Sequence, residues 1–386
     1  MNSRWLTRNL MIITLVSLAQ DAASELLYPL LPLLLTSVIG AAPFALGLIE
    51  GCAEAAAGFT KLYAGKASDR IGRKPFIIAG YGVASIGKAL VVTATAWPLF
   101  FLGRITDRIG KGLRSTPRDA LIHDSVSPPH LGKAFGFHRA GDNLGAVIGP
   151  LLALLGLSLL HNDIRKVAIW ALIPALISTA LTFFVKERSR AIIQREPPKP
   201  DSGPLPANLK RAIAILVLIQ VTNIPDVLLL LRLHDIGFST QGVVLAYVLF
   251  SSVAMLAAFP AGYLADRFSP YAIYSIGLMT FAIAYFLLGY SSNHTIAVMA
   301  IGLYGFFPAL TDGVGKAWIA GLSESHHRGK AQGVYQASMN FAVLGAGLWA
   351  GALWTRHSME WPLMIAAIGA GLGALALVIE NFRNRH

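Results

Sequence analysis

The fold class this sequence predicts is an all-α membrane protein, its twelve transmembrane helices arranged as two pseudo-symmetric six-helix bundles. Three observations predict it. Of the 386 residues, 55% are hydrophobic and 13% charged, at a mean hydropathy of +0.59, whereas a soluble domain carries about 25% charged residues. Twelve stretches reach the roughly 20 apolar residues that about 30 Å of hydrocarbon demands. The chain also repeats itself: Gly65-Lys66-Ala67-Ser68-Asp69-Arg70 returns 197 positions later as Gly262-Tyr263-Leu264-Ala265-Asp266-Arg267. Gly132-Lys133-Ala134-Phe135-Gly136, with Ala140 and Asn143, returns at the same offset as Gly329-Lys330-Ala331-Gln332-Gly333, with Ala337 and Asn340. One offset shared by two distant landmarks marks a duplicated half, an internal symmetry typical of membrane transporters.

The expected spans are 10–38, 43–64, 76–96, 98–122, 133–160, 166–186, 210–231, 241–264, 271–291, 294–320, 331–355 and 361–382. Their connectors leave no room for a soluble domain. The longest polar segment, 187–209, holds Pro197, Pro198, Pro200, Pro204 and Pro206 among mixed charges. It is expected to be a cytoplasmic linker between an N-terminal bundle, 1–186, and a C-terminal bundle, 210–386. Arg8, Arg70, Arg73, Lys74, Arg114, Arg118, Lys186 and Arg267 fall at span ends on one side, while the other side has little beyond Arg165, Lys166, Arg232 and Arg356. This asymmetry places both termini in the cytoplasm, in the inner membrane of a prokaryote. The formal charge of +12 then reflects topology and contact with anionic lipid; nucleic acid is excluded as a partner, because no folded basic domain exists to hold it.

The first span carries Gln20, Asp21 and Glu25 in an otherwise apolar run, so it reads as a retained helix and not a cleaved signal. Asp21 and Glu25 are four apart and share a face. A rise of about 1.5 Å per residue from Leu10 places Asp21 near the midplane, where a carboxylate must be paired, neutralised or wet. This helix is expected to line a central cavity, bent in its outer part by Pro29 and Pro32. The second span repeats the spacing with Glu50 and Glu54, and the third holds Lys88 near the midplane. The fourth is the most charged: Arg104, Asp107, Arg108, Lys111, Arg114, Arg118 and Asp119 lie within roughly 140° of one face, so that face cannot meet lipid. The fifth begins with His138, Arg139, Asp142 and Asn143, then sets Gly141, Gly145 and Gly149-Pro150 in a stripe suited to close helix packing. The C-terminal half is plainer. Asp226 in the seventh span is among its few membrane charges, and Tyr335 belongs to a set of aromatic residues able to form a cavity wall.

The stretch Gly65-x-x-x-Asp69-Arg70-x-Gly72-Arg73-Lys74 resembles the signature loop of the major facilitator superfamily, and with the twelve spans, the 6+6 duplication and the central linker the resemblance covers the whole chain. The resemblance implies that Asp69 caps a helix of the other half and latches one closed state, and that Arg73 pairs with Asp119 or Asp124. In the second copy Asp266-Arg267 is followed by Ser269-Pro270-Tyr271 where the family often has Gly-Arg-Arg, implying a weaker second latch. Arg104 and Gly110 match a helix-4 motif associated with proton handling. Gly145, Gly149 and Pro150 look like the helix-5 Gly-x-x-x-Gly-Pro motif of the family's exporters, although Leu151-Leu152 stands where a small pair is expected.

The membrane charges of the N-terminal half balance, six acids (Asp21, Glu25, Glu50, Glu54, Asp107, Asp142) against six bases (Lys61, Lys88, Arg104, Arg108, Lys111, Arg139). Most must form ion pairs. A proton carrier instead needs a carboxylate that desolvation keeps protonated and an approaching cation ionises; Asp21, Glu25 and Glu54 fit by depth, with Asp142 and His138 as candidate relays. Gln20, Arg104, Arg108, Lys111, Arg139, Asn143, Asp226 and Tyr335 are the candidate substrate contacts. The expected function is secondary transport by alternating access, with protons and a small amphiphilic organic substrate as counter-moving partners, membrane lipid as surroundings and a monomer as the working unit. No nucleotide-binding run Gly-x-x-x-x-Gly-Lys-Ser/Thr is present, so the proton gradient supplies the energy and no cofactor is expected. Proton-coupled uptake of an anionic metabolite on the helix-4 arginines is the rival reading, since guanidinium forks suit carboxylate and phosphate. A transporter-fold sensor or membrane enzyme is a remote one: the histidines are scattered, and Cys52, the single cysteine, offers neither a disulfide nor a thiol metal centre.

Overall fold

The computed structural model describes residues 6–127, 130–187, 205–265, 267–323 and 328–383, without the side chains of Lys66, Asp69, 131–133, Phe259, Ala320, 328–330 and Arg383. Asp266 and most of the linker, 188–204, lie outside the described residues, as does the Asp69 side chain. The helices are α1 (Arg8–Leu27), α2 (Leu31–Leu33), α3 (Pro43–Ile71), α4 (Arg73–Thr93), α5 (Trp97–Ser125), α6 (Leu131–Leu159), α7 (Ile164–Ile169), α8 (Leu172–Thr182), α9 (Ala207–Gln220), α10 (Asp226–Asp235), α11 (Thr240–Ala265), α12 (Pro270–Tyr290), α13 (His294–Tyr304), α14 (Phe306–Gly321), α15 (Arg328–Arg356) and α16 (Glu360–Arg383). Among the described residues nine helical stretches are long and apolar enough to cross a membrane. The other three expected spans are α3 and α5, long but charged, and the pair α9–α10, which is interrupted. All twelve expected spans are thus helical among the described residues, nine of them apolar enough by length and composition to cross a membrane, and the charged α3 and α5 carry most of the ion pairs described below.

Prolines account for most interruptions of the expected spans. Pro29 and Pro32 each remove a donor from the helix ladder, and the chain beyond Leu27 runs through a 3₁₀ turn (Tyr28–Leu30) and, after α2, a wider π turn (Leu34–Val38). Pro308 cannot donate to Tyr304, and the tenth span divides there into α13 and α14. The break before Pro225 frees carbonyls at membrane depth, which must find donors inside the protein. Trp349 Nε1 donates to Val221 O at 2.8 Å, and Tyr285 donates to Ile224 O at 3.3 Å. The Asn223 side chain accepts from Tyr304 at 3.3 Å. These aromatic residues therefore close an opened backbone.

The signature stretch, expected as a turn over 65–75, is helical through Ile71 and again from Arg73. Only Gly72 leaves the helix, at φ +113°, a region closed to residues with a Cβ. Gly72 also offers no capping side chain to α4. Glu187 supplies one instead, accepting from the amides of Arg73 at 2.8 Å and Lys74 at 3.0 Å. Beside it, Asn9 clasps the end of the half through Lys186, donating to its carbonyl at 2.5 Å and accepting from its amide at 3.0 Å. At the opposite end of the bundle Asp163 caps α7, where the Lys166 amide and ammonium hold its carboxyl below the usual carboxylate range.

Two compact units result: 1–187 with 226–248, and 188–225 with 249–386. In the first, α4 lies along α5 and α1 along α6 at near-backbone contact. A Cβ on Gly110 would sit 2.5 Å from Gly80 O and from Ala84 N, and one on Gly149 would sit 2.6 Å from Ala22 O. The fifth-span glycine stripe is thus the seam with α1. Leu10, Ile13, Ile77, Tyr81, Leu121, Ile122 and Val185 form the apolar core at one end of this unit. α10 and the start of α11 pack on the same unit, although they come from the second sequence repeat. The second unit is built on α12 against α16 and α14.

Candidate functional site

The charges of α3, α4 and α5 meet in one buried network. Arg104 spans it. Its Nε and Nη2 reach the two carboxylate oxygens of Glu50, each at 2.7 Å, and its Nη1 lies 3.3 Å from Asp107. Lys88 Nζ donates to the other Asp107 oxygen at 2.5 Å. Arg108 lies 3.9 Å from Glu50, and its Nε is 3.1 Å from Glu54 but not aligned for a hydrogen bond. Glu50, Lys88, Arg104 and Asp107 are all less than 5% exposed. Desolvating such groups is tolerable only when each carboxylate meets a cation in good geometry, and here each does. The helical spacing that put these residues on one face also put Arg104 and Arg108 within reach of Glu50 and Glu54, so two candidate substrate contacts and one candidate proton carrier are joined to one another.

The acids of α1 lie within electrostatic range of the network's Arg108 or of Lys111. Glu25 accepts a short hydrogen bond from the Tyr247 hydroxyl, and no cation lies within ion-pair distance of it among the described residues. The Tyr247 ring packs on Tyr28, centroids 5.4 Å apart. Asp21, one turn earlier, has no bonded partner among the described residues and is half-buried. Lys111 is exposed and likewise has no ion-pair partner among the described residues, though it lies within electrostatic range of Glu25, Glu54 and Asp21. The Gln20 side chain is fully buried beside them with neither amide atom hydrogen-bonded. Asp226, the first residue of α10, is within electrostatic range of Tyr28 and Tyr247.

His138 and Asp142 form a separate pair on α6, His138 Nε2 to Asp142 Oδ1 at 3.7 Å, too long for a hydrogen bond. Both His138 nitrogens, that Asp142 oxygen and Thr14 Oγ1 are buried without a hydrogen-bond partner among the described residues. Arg139 and Asn143 stand on the same helix, Arg139 exposed. Arg118 reaches Ser17 at 3.1 Å and Asp119 at 3.0 Å, and Ser17 in turn bonds Tyr81, over which the Arg114 guanidinium stacks at 4.5 Å. Of the acids the resemblance offered to Arg73, the structure joins it to Asp124, with Ala120 O as a second acceptor at 2.6 Å. Gly65 is packed on Thr116 and Arg70 is exposed. Arg267 stacks on Tyr263 at 4.2 Å, and Tyr335 packs over Gly315 in the second unit.

Two participants escaped the sequence reading, and a third was seen without its partner. Tyr247 lies 222 positions from Glu25, and nothing local marks a tyrosine that will meet an acid so distant. Glu187 opens a segment whose composition reads as linker, which hides its capping role. Glu50 was visible as a membrane acid, yet its bidentate grip on Arg104 depends on how α3 and α5 cross.

The Major Facilitator Superfamily matches the chain over residues 12–231 and 211–385. An MFS-type transporter of Methanocaldococcus jannaschii is 28% identical over 384 residues, covering 98% of this chain and 96% of its own. The multidrug resistance protein MdtH of Cronobacter sakazakii is 24% identical over 356 residues, covering 89% of this chain and 87% of its own. Among solved structures, the nucleoside transporter NupG superposes with a TM-score of 0.80 at 12% identity, over 97% of this chain and 99% of its own. A D-xylose-proton symporter superposes with a TM-score of 0.76 at 19% identity, over 95% and 96%.

Proposed function

The chain belongs to the Major Facilitator Superfamily, and on that premise we propose that this multi-pass membrane transporter exports a small amphiphilic organic molecule in exchange for protons. The observation that carries the reading is a division among the membrane acids. Glu50, Glu54 and Asp107 each meet an arginine or lysine, whereas Glu25 and Asp21 meet none within ion-pair distance among the described residues. A carboxylate at that depth without a cation is costly while ionised, so a proton or a cationic substrate group is its natural partner. Competition of the two for one acid is the basis of antiport. Relatives named as multidrug resistance proteins favour export. In this reading the repeats 1–186 and 210–386, joined by the linker 187–209, alternate access as a monomer in a prokaryotic cytoplasmic membrane with both termini inside. Asp69, Gly65, Arg70, Arg73 and Asp124 serve as the latch, with Asp266 and Arg267 as its second copy.

Proton release from the purified protein in weakly buffered detergent tests this, using a panel of cationic, zwitterionic and anionic small molecules. Release on addition of a cation or zwitterion, abolished in Asp21→Asn/Glu25→Gln, is expected; release that persists in the double variant overturns the assignment. One observation favours a second reading, proton-coupled uptake of an anionic metabolite: Lys111 is exposed and has no ion-pair partner among the described residues. Proton uptake on adding an anion, lost in Lys111→Gln, would select it.

A further inference from the structure

By the repeat, α9, α12, α14 and α16 hold in the second unit the places that α1, α4, α5 and α8 hold in the first. The corresponding ends differ in filling. In the first unit that end holds the buried apolar cluster of Leu10, Ile13, Ile77, Tyr81, Leu121 and Val185. In the second unit the same end keeps a cavity of about 360 Å³ between the starts of α9 and α12 and the ends of α14 and α16, within the size range of small-ligand sites. Its walls include Trp318 and Tyr271, stacked edge to face with centroids 4.4 Å apart, together with Ile215 and Leu322. Its mouth carries one cation and one anion, Arg211 and Glu380, held by a single contact of 2.9 Å between Nη2 and Oε2. Arg211 keeps Nε and Nη1, and Glu380 keeps Oε1, unbonded among the described residues. The Arg211 side chain is 57% exposed.

Every element lining the cavity presents the end that the distribution of basic residues assigns to the cytoplasmic leaflet. An aromatic slot at that depth with a charge pair at its rim matches an amphiphile whose polar end bears both signs. We propose that the cavity binds a phospholipid of that leaflet with a zwitterionic headgroup ending in a primary ammonium. Its phosphate oxygens take the free donors of Arg211, a charge-assisted arrangement that guanidinium favours, and its ammonium donates to the free oxygen of Glu380. The ion pair stays intact, and the zwitterion lies antiparallel to it. A quaternary ammonium has no proton for Glu380, and an uncharged glycerol headgroup has no cation for it. The site is independent of the transport reading above, because it requires only residence in the membrane.

Native mass spectrometry of the full-length protein tests this, in detergent with equimolar phosphatidylethanolamine, phosphatidylcholine and phosphatidylglycerol. Several-fold preferential retention of phosphatidylethanolamine is expected. Glu380→Gln should bring it level with phosphatidylglycerol, Arg211→Gln should lower both, and Ile215→Trp should block the slot, with melting temperatures confirming that each variant is folded. Equal retention of the three lipids by the wild type, as from annular lipid only, overturns the proposal. So does a preference that survives both charge variants, or one for phosphatidylglycerol, which would leave Glu380 without a role. Displacement of the lipid by an equimolar amount of free phosphoethanolamine would overturn the lipid assignment in favour of a soluble zwitterion.

Discussion

Arg104 shows what one residue does in this protein. It spends three nitrogens on two carboxylates from different helices, Glu50 on α3 and Asp107 on α5, while Lys88 of α4 holds the remaining Asp107 oxygen. Three helices are thereby tied by one set of charges at a depth where none of them tolerates an orphan. Glu50→Gln takes the carboxylate from the Arg104 fork and leaves it only the 3.3 Å contact to Asp107, and breaking a buried pair costs about 3–5 kcal/mol. A lowered melting temperature in detergent, largely restored when Arg104→Met is added, is the expected result. An unchanged melting temperature in the single variant would mean that water reaches and solvates the site.

At the scale of elements, α4 and α5 can share this network only because their backbones touch. Gly80 and Gly110 face each other across the seam, and Gly110 has no space for a methyl group, whose carbon would sit 2.5 Å from the opposing backbone. Overpacking of this kind costs about 1–3 kcal/mol. Gly110→Ala should therefore lower thermal stability and, by spreading the helices, weaken the Lys88–Asp107 contact. If the variant is as stable as wild type, the two helices are free to slide. Gly110 was noticed through its resemblance to a helix-4 motif, but its packing role follows from the crossing of α4 and α5, which helical periodicity alone does not specify.

At the scale of the whole molecule, the segment 226–248 is the instructive part. The repeat assigns it to the second half, yet it packs with the first unit, and Tyr247 seals it there by donating to Glu25. If Glu25 exchanges protons for substrate, the hold of this segment depends on the state of that acid. Tyr247→Phe removes the donor while keeping the ring against Tyr28. Spin labels on the outer ends of α1 and α11 should then report a broader distance distribution, with a larger population at long separation. A distribution identical to wild type at every pH tested would remove Tyr247 from the coupling.

Composition, apolar run length and the 197-residue repeat were enough to determine the all-helical membrane architecture, because crossing hydrocarbon imposes length and apolarity on each segment separately; the superfamily came from the resemblance of the Gly65–Lys74 stretch to its signature loop. The helix-4 charge stripe was legible for the same reason: one hundred degrees per residue is a local rule. Which partner each charge meets was decided only in three dimensions. Arg73 chose Asp124 over Asp119, Arg104 took Glu50, and Glu25 met a tyrosine 222 positions away. Ion pairs and hydrogen bonds act over about 3 Å, and which atoms come that close depends on the crossing of helices distant in sequence.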